Sequence, residues 1–209
     1  MFPSPLNLPN PQNAHPLHHR PPPATTTAED AQVYERVRAR RAPRPLQPLD
    51  LALLHAPPVA DGWNSFLGAV RTRTTLPASV RELAISRVAV VNGAWYEWMH
   101  HAPLAAEAGV SQRALDEIVK GKPGELSDEA VSPEEREAVG LGPAEWAVLR
   151  VTDEMTRHVR VRDETFAELR KHFNEREVVE VVATVSAYNC VSRFLVALDG
   201  TFETLKIPS

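Results

Sequence analysis

Apolar positions recur at helical spacing through most of this chain, and no stretch reads as a confident strand. Residues 28–41 read as a helix with Thr27 as its cap. Residues 42–58 are broken by prolines, with room for a short helix over 49–55 started by Asp50. Trp63, Phe66, Leu67 and Val70 share one helical face, which predicts a helix over 63–70. Residues 77–91 follow, with Pro77 in the first turn. There Val80, Leu83, Ala84, Val88 and Val91 form one stripe, while Ile85, Ala89 and Val90 make the opposite side apolar too. A helix apolar on all sides is a buried one. Asn92-Gly93 stops it, and residues 94–108 form the next helix, ended by Gly109. Pro103 lies inside that helix and should kink it about one turn earlier. Ser111 caps a shorter helix to Lys120, and residues 121–142, rich in Gly, Pro and acids, read as a surface excursion. Residues 143–158 are helical again, Asp163 caps a helix over 164–173, and a long helix over 175–198 closes the domain. The pattern is all-α, with the 77–91 and 175–198 helices as the core.

Composition changes this picture at the ends. Residues 1–28 carry Pro3, Pro5, Pro9, Pro11, Pro16, Pro21, Pro22 and Pro23 with few large apolar side chains. Such a segment cannot bury enough surface to offset its ordering entropy, so it is expected to be disordered. The helical domain then occupies residues 29–209. The 181–198 run has no Asp, Glu or Lys, and could be taken for a membrane span or a strand. Asn189 and Arg193 within it are costly in lipid, and its length is excessive for a strand, so a buried helix of a soluble protein is the better reading.

Charge narrows the partners. The net charge is −4, with no broad basic surface for a nucleic-acid backbone. Arg36, Arg38, Arg40, Arg41 and Arg44 read as a solvated helix face followed by a loop. The amino-terminal stretch has no apolar signal core, and only Arg20 is basic before Glu29, which argues against a presequence. With the single cysteine, Cys190, this suits a reducing, cytoplasmic compartment. Cys190 itself reads as a buried apolar filler.

The chemistry-bearing residues cluster in the centre. Glu97 and His101 are four apart, so on a helix they share a face. A carboxylate beside an imidazole builds a proton-transfer site, with Glu97 setting the tautomer of His101. The alternative is an ordinary ion pair on a half-exposed helix, contributing about 0.3–0.5 kcal/mol. His100 points about 100° away on the helix. Glu82, near the start of the buried helix, is either an acid with a raised pKa or a first-turn carboxylate favoured by the helix dipole. Arg87 interrupts the apolar stripe and either neutralises Glu82 structurally or grips a substrate carboxylate with two prongs. Trp95, Tyr96 and Trp98 wall a pocket or fill a core or interface. Asn189 and Arg193 serve the site or a subunit contact. Adjacent histidines diverge on a helix and His-Glu-x-x-His is absent, so no metal site is expected. No glycine-rich phosphate loop is present, so no nucleotide cofactor is expected either.

The order Arg81-Glu82-Leu83, then Tyr96-Glu97-Trp98-Met99-His100-His101, then Leu104-Ala105 and Ala108-Gly109-Val110-Ser111 resembles the carboxymuconolactone decarboxylase family. Residues 146–194, ending Ala187-Tyr188-Asn189-Cys190-Val191-Ser192-Arg193-Phe194, resemble its carboxy-terminal half. The resemblance implies the all-helical alkylhydroperoxidase D-like fold, assembled as a homo-oligomer, a trimer or hexamer. In the peroxidase branch a glutamate precedes a Cys-x-x-Cys pair and a histidine follows. Glu82 and His101 match the glutamate and the histidine, while the cysteine positions fall on Ala94 and Glu97. Neither side chain can act as a peroxide-reducing thiolate. The resemblance therefore implies the decarboxylase branch: a cofactor-free decarboxylase or related proton-transfer enzyme acting on a small carboxylated lactone or oxo-acid. His101 would be the proton donor, Glu97 its partner and Glu82 a second acid, with Arg87, Trp98 and Arg193 facing the substrate. Two other readings stay open. One is a non-catalytic helical assembly protein, the other an isomerase or dehydratase of a secondary metabolite.

Overall fold

The computed structural model describes residues 27–120, 134 and 138–198. Every regular element among them is a helix. The expected tail falls outside the described residues up to residue 26, as does most of the 121–142 excursion.

The described residues form two compact units, one of residues 27–73 with 197–198 and the other running from Thr74 to Val196. The first holds α1 (Ala28–Arg41), α2 (Pro48–Leu53) and α3 (Pro57–Thr72). Thr27 caps α1, its Oγ1 accepting from the Asp30 N–H at 3.0 Å. Asp50 is buried and accepts two hydrogen bonds from Arg41, at 2.7 and 2.9 Å, and one from Arg40 at 3.3 Å. Arg41 therefore turns from the solvated face the sequence assigned it to neutralise an inward carboxylate, which would be costly to bury unpaired, while Arg40 stays exposed and reaches the same group. Helix α3 starts six residues before the predicted one (Pro57 against Trp63). The Pro57-Pro58 pair reads as a break in sequence, but proline fits a first turn, where its missing N–H has no helical partner to lose.

The second unit holds α4 (Ala78–Asn92), α5 (Trp95–Glu107), α6 (Gln112–Lys120), α7 (Pro143–His158), α8 (Asp163–His172) and all but the last two residues of α9 (Glu175–Leu198). Helix α4 is buried nearly all round, with Leu83, Ile85, Val88 and Ala89 at zero exposure. Gly93 ends it with φ +67°, a left-handed conformation that favours glycine. Its N–H bonds the Val90 carbonyl at 3.1 Å and the Ala94 N–H bonds that of Ala89 at 2.8 Å, so the chain turns at once into α5. Helix α5 runs on through Pro103 and packs against α4. Leu83, Ala102, Ala105, Leu115, Ile118, Trp146 and Leu149 join α4, α5, α6 and α7 in one apolar cluster.

Helix α9 is long and apolar enough to cross a membrane by length and composition. Its polar residues instead reach neighbouring helices and the loop before α4. Asn189 donates to Thr156 Oγ1 on α7 at 2.9 Å and accepts from Asn92 on α4 at 3.2 Å. Glu180 accepts from the backbone and the hydroxyl of Thr75, both at 2.8 Å. This is the core helix the sequence pattern predicts. A capping box starts it, with the Glu177 N–H donating to Asn174 Oδ1 at 3.0 Å and the Asn174 N–H to Glu177 Oε2 at 2.9 Å. The cap of α8 is Arg162, not Asp163, which is its first helical residue. Cys190 is exposed, which corrects its reading as a buried filler: its position on α9 falls one residue off the inward row of Ala187, Tyr188 and Val191.

Candidate active site

The short turn at Gly93 sets α4 and α5 side by side, running in opposite directions, and so fixes which positions meet. Glu82 on α4 and His101 on α5 are brought together, with His101 Nδ1 2.7 Å from Glu82 Oε2. Both residues are buried, at 5% and 7% exposure. The Arg81 guanidinium lies 3.4 Å from the other carboxylate oxygen. An ionised carboxylate only accepts, so facing it Nδ1 carries the hydrogen and Nε2 holds the basic lone pair. The Tyr188 ring of α9 meets the imidazole edge-on, with centroids 4.9 Å apart. That contact limits how the imidazole can turn.

This corrects the pairing expected from sequence. Glu97 shares a helical face with His101, but its carboxylate does not hold the imidazole. It turns to α9, where Ser192 Oγ donates to Glu97 Oε2 at 3.0 Å. The partner of His101 comes from the neighbouring helix, because the hairpin register places Glu82 directly opposite. Glu97 is 3% exposed, and burial raises its carboxyl well above the usual carboxylate range; the Ser192 hydrogen bond opposes this without reversing it. Its second oxygen, Oε1, is buried with no hydrogen-bond partner. Burial thus favours the neutral form of Glu97, beside the Glu82–His101 contact.

Arg87 has the structural role of its two readings, with Asp153 rather than Glu82 as its partner, and this corrects its assignment to the substrate. It is fully buried, and its guanidinium donates twice to Asp153 on α7, at 2.5 and 2.8 Å, and once to the Ile118 carbonyl at the end of α6, at 2.7 Å. Its fork is spent on the fold and cannot also grip a substrate carboxylate. Arg193 is exposed and donates to the Asn189 side chain, to its carbonyl at 3.1 Å and to that of Thr156 at 3.5 Å. Trp98 is half-buried against the apolar cluster containing Leu83 and Ala102. His100 is exposed, lies tilted against the Tyr96 ring with centroids 4.3 Å apart, and bonds the Tyr96 carbonyl rather than Glu82. Among the described residues no group of three His, Cys, Asp or Glu is arranged to hold a metal.

Sequence reasoning missed Tyr188 and Ser192. They sit four apart on α9, as Glu97 and His101 do on α5, and each meets one member of that pair. Polar groups recurring at period four inside the apolar 181–198 run were the available signal.

Residues 57–121 match the model of the carboxymuconolactone decarboxylase family. The crystal structure of an uncharacterized peroxidase-related protein from Silicibacter sp. TM1040 superposes with a TM-score of 0.62. The match covers 84% of this chain and 85% of that one at 15% identity, and shows a shared fold. No curated protein matches the chain. The likeness to the carboxymuconolactone decarboxylase family lies in residues 57–121, and the all-helical fold is shared with that peroxidase-related protein.

Proposed function

We propose that this chain belongs to the carboxymuconolactone decarboxylase family and is a cofactor-free proton-transfer enzyme, with decarboxylation of a small carboxylated lactone or oxo-acid as its reaction. The observation that carries the reading is the buried 2.7 Å contact between His101 Nδ1 and Glu82 Oε2. In such a substrate the bond between the carboxylate carbon and its neighbour breaks, and carbon dioxide leaves. The bonding pair passes into the conjugated carbonyl as an enolate. Protonated His101 then delivers the Nε2 hydrogen to carbon, returning to the neutral form that keeps Nδ1–H on Glu82. Water re-protonates Nε2 for the next cycle. Glu82 orients the ring and balances the imidazolium charge, and Glu97 supplies an uncharged carboxyl group nearby.

Thiol peroxidase chemistry is disfavoured by the residues themselves. Cys190 is the only cysteine in the sequence, so no intrachain disulfide can form, and Ala94 and Glu97 occupy the positions matched to the pair. We further propose a cytoplasmic location and a homo-oligomer of three or six subunits.

The test is carbon dioxide release from a panel of carboxylated lactones and oxo-acids, with wild type beside His101→Ala. Release by wild type, reduced at least ~100-fold in the variant, is the expected result. Equal rates would remove His101 from the mechanism, and no release from any substrate would rule out the decarboxylase reading.

A further inference from the structure

Two buried polar atoms near the His101–Glu82 pair have no partner: Ser86 Oγ, at zero exposure, and Glu97 Oε1. Their positions are related. Ser86 is one turn beyond Glu82 on α4, and Glu97 is one turn before His101 on α5. Since α4 and α5 run in opposite directions and Glu82 meets His101, the next rung of the same ladder is Ser86 opposite Glu97. The two side chains do not hydrogen-bond each other, although both are withdrawn from solvent. Buried hydroxyl and carboxyl oxygens are nearly always satisfied, so an orphaned pair at one level points to an absent third group.

We propose that Ser86 and Glu97 form a polar subsite that binds a carbonyl or carboxyl oxygen of a small ligand, one turn along the hairpin from His101. A water fills it when no ligand is bound. The proposal rests on the reading of His101 and Glu82 as the proton-transfer pair, and names where the substrate oxygen lies. The chemistry suits an acceptor oxygen. Ser192 already donates to Glu97 Oε2, leaving Oε1 as the place for the acid hydrogen of a neutral carboxyl, and burial favours that neutral form. Ser86 can donate as well, so an oxygen between them accepts two hydrogen bonds. An enolate oxygen needs such donors, and one helical turn is about 5.4 Å, a separation that lets one small molecule reach both rungs.

The experiment is binding of levulinate, an oxo-acid, and paraconate, a carboxylated γ-lactone, to the full-length protein by calorimetry. Wild type is compared with Ser86→Ala, Glu97→Gln, Glu97→Leu and His101→Ala. A crystal structure of the paraconate-soaked protein accompanies the titrations. The expected result is a ligand oxygen within hydrogen-bond distance of Ser86 and Glu97, replacing a water seen without ligand. Ser86→Ala and Glu97→Leu should each weaken binding about 5-fold or more, the effect of one lost hydrogen bond. Glu97→Gln keeps a donor and should stay close to wild type. His101→Ala should still bind while losing turnover, which separates failure of the subsite from failure of the proton-transfer reading. A direct Ser86–Glu97 hydrogen bond, a dry gap, affinities indifferent to Ser86→Ala and Glu97→Leu, or no binding of either probe by wild type would each overturn the proposal.

Discussion

Removing the carboxylate of Asp153 should unfold this protein far more readily than removing a surface charge. Arg87 has no exposed surface, and three of its hydrogen bonds go to Asp153 and Ile118, between 2.5 and 2.8 Å. In Asp153→Ala the guanidinium keeps only the Ile118 carbonyl among these and stays buried without its counter-charge. Breaking a buried pair by deleting one partner costs about 3–5 kcal/mol. For a chain of this size each kcal/mol moves the melting temperature by about 2–4 °C, so the midpoint should fall by about 6–20 °C. Circular dichroism at fixed protein concentration reads this directly. The double variant Arg87→Met/Asp153→Leu removes both charges and should regain much of the loss, since apolar replacement of a buried pair is often neutral or better. The pattern separates a structural Arg87 from a substrate-binding one, which would raise KM with little change in melting. A loss below about 1 kcal/mol in Asp153→Ala would refute the assignment.

Glu97→Gln should become increasingly stabilising, relative to wild type, as pH rises above the ordinary glutamate value of 4.5. Burial raises the folded-state pKa, so the wild-type carboxyl is matched to the fold below 4.5 and loses that match as pH rises toward the folded-state value; denaturant titrations of both proteins across that range check the sign, and parallel curves would contradict it. Glu82→Gln should reduce turnover more than it changes substrate affinity, because the amide holds the ring without balancing an imidazolium; steady-state kcat and KM measurements separate the two. Asn174→Ala should cost about 1 kcal/mol through loss of the α9 cap, read by thermal melting.

The helices themselves were written plainly in the sequence. Thr27, Gly93 and Ser111 mark boundaries by residue chemistry alone, and each performs the cap or stop that its type favours. The all-round apolar 77–91 stretch announces a buried helix because no polar face is left to meet water. Pairing between helices was less legible. The face shared by Glu97 and His101 is visible from spacing, but the identity of the imidazole's partner depends on the register of the α4–α5 hairpin, which sequence spacing on one helix does not encode. Arg87 shows the same limit: a charge in an apolar stripe signals burial with a partner, while Asp153 lies on another helix, 66 residues away along the chain. Arg41 reads as solvated because Asp50, which it neutralises, reads only as a helix starter until the chain folds back.

If His101, held by Glu82, is the acid–base group, it moves a proton to and from carbon. Exchange of the α-carbon hydrogens of levulinate with deuterated water, followed by proton NMR, isolates that step from loss of carbon dioxide. Wild type should accelerate the exchange above the buffer rate, and His101→Ala should fall at least ~100-fold below wild type. Exchange at the buffer rate with wild type, or the same acceleration with both proteins, would contradict it.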